Sequence, residues 1–214
     1  MLREIFVRFF DTIGNKSLQM SNRIRMRIVT PSPTGSKDDS LFLEPSQKHD
    51  TLREFAKTYK LQIFVETGTY YGDTVDALKN IFKTCYSIEI GKKLADNARV
   101  RFSNNPNIHI LQGDSSNVLP RLLREINEPC LFWLDGHYSG GDTAGCGTTV
   151  PILQEIEAIL NHRDDHVILI DDARCFVGGK SEYPTISYLS HVILKKQPQF
   201  TVEVRDDIIR AYKK

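Results

Sequence analysis

The chain has 214 residues, enough for one α/β domain with a large core and too few for two. Its 28 Lys+Arg stand against 27 Asp+Glu, and the resulting formal net charge of +1 excludes a global field that would draw it to nucleic acid or an anionic surface. Cys85, Cys130, Cys146 and Cys175 include no C-x-x-C pair, which argues against a disulfide framework or a zinc site and for buried thiols in a reducing compartment.

At the start, Leu2, Ile5, Phe6, Phe9, Phe10 and Ile13 recur at helical spacing with Arg3, Glu4, Arg8 and Asp11 largely on the other face, which predicts an amphipathic helix. With only Arg3 and Arg8 on its polar side, self-association into a homo-oligomer or docking on the domain is favoured over a membrane surface. No apolar run reaches the ~18 residues of a membrane span, and no cleavable leader is evident, so a cytoplasmic location is expected. Residues 16–47 are rich in Ser, Thr, Pro and Gly and read as an irregular arm. Residues 1–47 are thus expected to form an N-terminal extension and residues 48–214 the folded domain.

From there, short apolar runs at 62–65, 84–88, 108–111, 131–134 and 167–170 alternate with helical patterns at 51–60, 75–82, 92–102, 118–126 and 152–160. Strand alternating with helix predicts a parallel, doubly wound sheet of Rossmann-like type. After a helical stretch at 185–195, the runs 200–204 and 208–212 are joined through Arg205-Asp206-Asp207, which predicts a C-terminal antiparallel hairpin.

Several of these runs end in residues suited to chemistry. In Glu66-Thr67-Gly68-Thr69-Tyr70-Tyr71-Gly72 the glycines follow a strand and open a helix, where absent side chains let a ligand approach the backbone. A tight structural turn would explain the same glycines. Glu89, about 20 residues on, suits the two hydroxyls of a ribose. Asp114 and Ser115, at the end of the third run, fit either a ligand contact or a helix N-cap. The fourth and fifth runs end in Asp135 and in Asp171-Asp172. Three carboxylates in one crevice repel unless protonated or bridged by a cation, and oxygen-only donors suit Mg²⁺ or another hard divalent ion. His137 lies two residues past Asp135, in a loop carrying Gly136, Gly140, Gly141, Gly145 and Gly147. It is the expected general base, and the loop an expected lid.

The acidic-x-Gly-x-x-x-Gly pattern at Glu66, Gly68 and Gly72 resembles motif I of the class I S-adenosylmethionine-dependent methyltransferases. The five strand-helix units and terminal hairpin are similar to that family over roughly residues 60–214. Tyr70 stands where the commoner motif has its middle glycine. The resemblance implies S-adenosyl-L-methionine as cofactor, held by Glu66, Gly68, Thr69, Tyr70, Gly72, Thr74, Glu89, Asp114, Ser115 and Asp135. The strand-end carboxylates are similar to those of metal-dependent O-methyltransferases acting on catechols and macrolide sugars, which implies a divalent ion on Asp135, Asp171 and Asp172. His137 and Asp135 are then the expected catalytic residues. The implied acceptor is a small hydroxylated molecule or glycan, not nucleic acid. The rival readings are a nicotinamide-dependent oxidoreductase and a noncatalytic nucleotide-binding protein of the same fold.

Overall fold

A computed structural model describes residues 27–28, 45–135, 151–179 and 183–214 of the chain. The N-terminal amphipathic pattern, Cys146, His137 and the glycine-rich loop around it lie outside these residues.

The described chain runs β1 (Arg27–Ile28), α1 (Pro45–Thr58), β2 (Ile63–Thr67), α2 (Asp73–Leu78), β3 (Thr84–Glu89), α3 (Lys92–Arg101), β4 (Ile108–Gln112) and α4 (Ser115–Leu122). It continues with β5 (Cys130–Leu134), α5 (Ile152–Leu160), β6 (Val167–Ile170), a 3₁₀ turn at Ala173–Cys175, α6 (Ile186–Lys196), β7 (Phe200–Arg205) and β8 (Ile208–Lys213). The strands form one sheet in the order β1-β7-β8-β6-β5-β2-β3-β4. The predicted Rossmann-like, mostly parallel architecture is therefore the observed one.

Two boundaries differ from the sequence reading. Helix α1 begins at Pro45, so an expected domain start at residue 48 falls within its first turn. Within the stretch read as an irregular arm, Arg27 and Ile28 pair with Glu203 and Val204 of β7. A two-residue strand carries too little periodicity to be read from sequence.

Apolar side chains alternate between the two faces of the sheet, as the period of a strand requires. Along β5, Cys130, Phe132 and Leu134 pack with α4, α5 and α6 residues such as Leu119, Ile156 and Leu189. Leu131 and Trp133 face the other way, into a cluster with Leu52 and Phe55 of α1, Val75 and Leu78 of α2, and Ala98 of α3. Both faces are covered, which is why the central strands read as continuous apolar runs.

The predicted hairpin is present, and its turn explains its register. Arg205 pairs with Ile208, leaving Asp206 and Asp207 as a two-residue loop, both with positive φ (55° and 56°). Two consecutive left-handed residues make the type I′ turn that matches strand twist, and Asp tolerates that conformation better than most residues. β8 inserts between β6 and β7, antiparallel to both. Among the described strands it is the one running against the rest. Among the described residues no helix is long and apolar enough to cross a membrane.

Candidate active site at the C-terminal edge of the sheet

The parallel strands all end on one side, and Glu66, Glu89, Asp114, Asp135, Asp171 and Asp172 lie at or just beyond those strand ends, the usual place for ligands in open α/β sheets.

The loop after β2 is held from below and from the side. Glu66 is buried, and its Oε2 accepts from Ser87 Oγ on β3 at 2.5 Å. Ser87 Oγ also lies 2.6 Å from Thr69 Oγ1. Since the Ser87 proton is directed at Glu66, Thr69 is the donor of the second bond. Burial, opposed by hydrogen bonds from Ser87 and Thr74 and reinforced by the charges of Asp135 and Glu89, pushes the Glu66 carboxyl up to about 8. Near neutral pH it is mainly protonated. Thr69 and Thr74, expected as cofactor contacts, thus join Glu66 in fixing the loop.

Glu89 clamps the same loop. Its Oε2 accepts from the Tyr70 amide at 2.8 Å and its Oε1 from the Gly91 amide at 2.7 Å. Each carboxylate oxygen has a second lone-pair position, so the group retains acceptor capacity for further hydroxyls. The Gly68 amide donates to Ile88 O at 2.9 Å and the Gly72 amide to Thr69 O at 2.8 Å. The amides of Gly68, Tyr70 and Gly72 are therefore committed within the protein, and what these glycines supply is backbone shape rather than donors: their φ values are 91° and 85°. Tyr70 occupies the left-handed region too, at φ 48°, and its exposed ring lies against that of Tyr71, with 4.0 Å between centroids.

Asp114 caps α4: its Oδ1 accepts from the amide of Ser116 at 2.8 Å and from Ser116 Oγ at 2.7 Å. This is the capping geometry that the sequence allowed beside ligand binding. Ser115 lies next to it and hydrogen-bonds Glu155 of α5.

The acidic cluster predicted from the ends of β5 and β6 is assembled. Asp135, Asp171 and Asp172 bring carboxylate oxygens within 4.8 Å of one another. Asp171 and Asp172 are buried, and Asp172 sits at φ 53°, ψ 48°. Burial first, then the charge of Asp135, raises the Asp171 carboxyl to about 6, against a hydrogen bond from Lys48. Lys48 Nζ lies 2.7 Å from Asp171 Oδ2 and 3.6 Å from Asp172 Oδ1. Arg174 Nη1 lies 2.7 Å from Asp172 Oδ1 and is also ion-paired with Asp207.

Three contributors escaped the sequence reading. Ser87 is an interior strand residue with no motif around it. Lys48 precedes the first strand and reaches Asp171 across 123 residues of sequence. Glu155 was legible in principle: it lies three residues after Ile152 and four before Ile159, on the apolar stripe of α5, where a carboxylate is out of place. It is buried, and burial raises it to about 7, opposed in part by the neighbouring Ser115 hydroxyl.

The sequence matches no protein-family model and no curated protein. Solved structures of the same fold do exist. The S-adenosylhomocysteine-bound methyltransferase PaMTH1 of Podospora anserina is 16% identical with a TM-score of 0.58, over 80% of each chain. The O-methyltransferase TomG of Streptomyces achromogenes, involved in tomaymycin synthesis and solved with S-adenosylmethionine, is 14% identical with a TM-score of 0.58, over 84% of this chain and 92% of its own. The 23S rRNA methyltransferase ErmE is 19% identical with a TM-score of 0.51, over 81% of this chain and 70% of its own. The chain has the Rossmann-like methyltransferase fold.

Proposed function

We infer that this chain is an S-adenosylmethionine-dependent methyltransferase acting on a hydroxyl group of a small acceptor such as a sugar or other polyol. The observation that carries the reading is the clamp of Glu89 on the loop after β2, at the C-terminal edge of a sheet whose order and single antiparallel strand are those of the methyltransferase fold. Glu89, with its remaining lone pairs, is the proposed ribose ligand; Asp114 and Ser115 flank the adenine and Asp135 the sulfonium end. PaMTH1 and TomG, solved with the product and the methyl donor, support this cofactor.

S-adenosylmethionine supplies an electrophilic methyl carbon, to which the acceptor oxygen bonds in line as the carbon–sulfur bond breaks and the electron pair stays on sulfur. The protein's task is to align the acceptor, exclude water and take the hydroxyl proton. His137, two residues past Asp135, is the proposed base.

The donor set at Asp135, Asp171 and Asp172 fits a hard divalent cation: oxygen-only, clustered, and buried enough to raise Asp171. Such an ion would acidify a bound hydroxyl. Residues 48–214 are proposed as the catalytic domain and residues 1–47 as an extension serving acceptor access or self-association.

Calorimetry with S-adenosylhomocysteine and with NADH tests the cofactor. Heat with the first alone supports the reading, and heat with NADH alone overturns it in favour of an oxidoreductase. Transfer of labelled methyl from S-adenosylmethionine to catechol and sugar diols, with RNA as a parallel acceptor, tests the substrate class. Labelling of RNA alone would overturn the small-acceptor reading, and cofactor binding without labelling of any acceptor would favour a noncatalytic protein.

A further inference from the structure

Lys48 stands in the first turn of α1, yet its ammonium reaches into the acidic edge formed by β5 and β6. Its side chain is 21% exposed, while those of Asp171 and Asp172 are 4% and 6% exposed. A cation lying 2.7 Å from one buried carboxylate and 3.6 Å from the next stands among the oxygens that a divalent ion would use. Arg174 is the nearer cation to Asp172, at 2.7 Å, and is shared with Asp207 at the hairpin turn, whereas Lys48 is the cation on Asp171.

We propose that Lys48 is a tethered counter-cation that competes with the divalent ion for Asp171 and Asp172, so that ion entry requires the ammonium to swing out. This rests on the metal reading given above. Two cations crowded onto buried carboxylates repel strongly at the reduced dielectric of such a site. Lys48 has somewhere to go: its stem is long and partly exposed, so the head can reach water while the stem stays on the protein. Helix α1 need not move with it, since Leu52, Phe55 and Ala56 are buried and Arg53 Nη2 donates to Ala77 O at 3.0 Å. In the absence of an ion, Lys48 thereby offsets one of the three carboxylate charges, and the affinity of the site depends on a residue outside the carboxylate cluster.

The test is a Mn²⁺ titration of the full chain, read from the electron paramagnetic resonance of free Mn²⁺, for wild type, Lys48→Gln, Lys48→Met, Lys48→Arg and the double variant Lys48→Gln/Asp171→Asn. Removing the cation is expected to tighten Mn²⁺ binding by about tenfold or more, with Lys48→Arg staying near wild type and the double variant losing the gain. A purely structural Lys48 would loosen the site instead. Equal or weaker binding by both neutral variants, with wild type binding Mn²⁺, overturns the competition and leaves the metal reading standing. Absence of binding in every variant, with S-adenosylhomocysteine still bound, overturns the metal reading and the competition together. Thermal unfolding within a few degrees of wild type qualifies Lys48→Gln, and Lys48→Met serves if Lys48→Gln does not fold.

Discussion

The Tyr70 amide donates to Glu89 Oε2 at 2.8 Å, so the residue proposed to hold the ribose also holds the loop that would cover the cofactor. Because Glu89 accepts from two backbone amides through different oxygens, Glu89→Gln is not a mild change: one amide would face an NH₂ group. Each charge-assisted bond contributes about 1.5–3 kcal/mol, so Glu89→Gln should lower the melting temperature and weaken S-adenosylhomocysteine binding together. Calorimetry and thermal unfolding of the same preparation check this. Unchanged stability with weakened binding would mean that the clamp is dispensable.

Gly72 and Gly179 separate conformational strain from crowding. Both have positive φ (85° and 68°), but a Cβ at Gly72 would lie 2.8 Å from Phe102 Cε2 and one at Gly179 would meet nothing within 4 Å. Gly179→Ala should cost about 1 kcal/mol from backbone strain, and Gly72→Ala about 1–3 kcal/mol more as the Phe102 ring is displaced. Urea midpoints of the two variants compare them directly.

Glu66 makes stability fall as pH rises. Its carboxyl is raised from 4.5 to about 8 in the folded protein, so between these values the folded state holds a proton that the unfolded chain has released. Glu66→Gln keeps an acceptor for Ser87 and removes the titration. Relative to wild type, this variant should gain about 4 kcal/mol between pH 5 and pH 8.5 in urea unfolding. A constant difference across that range would contradict a buried, protonated Glu66.

His166 acts in the opposite direction, at the other end of the sheet. Its Nδ1 accepts from the Cys130 amide at 3.0 Å, so its proton sits on Nε2 and is donated to His162 Nδ1 at 2.8 Å. Burial, aided by His162, lowers His166 from 6.5 to about 4. The folded state thus resists a proton that the unfolded chain accepts, and stability is full above pH 6.5 and lost as pH falls toward 4. The loss amounts to about 3 kcal/mol, and His166→Gln should flatten this part of the acid unfolding profile.

Much of this was legible in the sequence because strands buried on both faces write themselves as apolar runs and end abruptly in charge. Val167–Ile170 was bounded correctly to the residue, and the carboxylates following the β5 and β6 runs do converge. What the sequence could not give is partnership across distance. Nothing near Lys48 announces Asp171, and nothing near Ser87 announces Glu66. The glycines of the loop were readable as a turn, but the destination of the Gly68 amide, Ile88 O, lies on β3, a separate strand. Two-residue β1 owes its existence to an open edge on β7 and not to any pattern of its own.

The Asp206-Asp207 turn has a bearing on how the molecule is made. Asp207 accepts the Ala173 amide through its carbonyl at 2.8 Å and the Arg174 amide through Oδ1 at 2.9 Å, buttressing the turn that carries Asp171 and Asp172. β8 is synthesised after β7 yet lies between β7 and β6. A chain in which β8 has not docked therefore has a gap in its sheet and no support beneath its acidic edge, so the site is completed only when the strand made after β7 inserts beside β6.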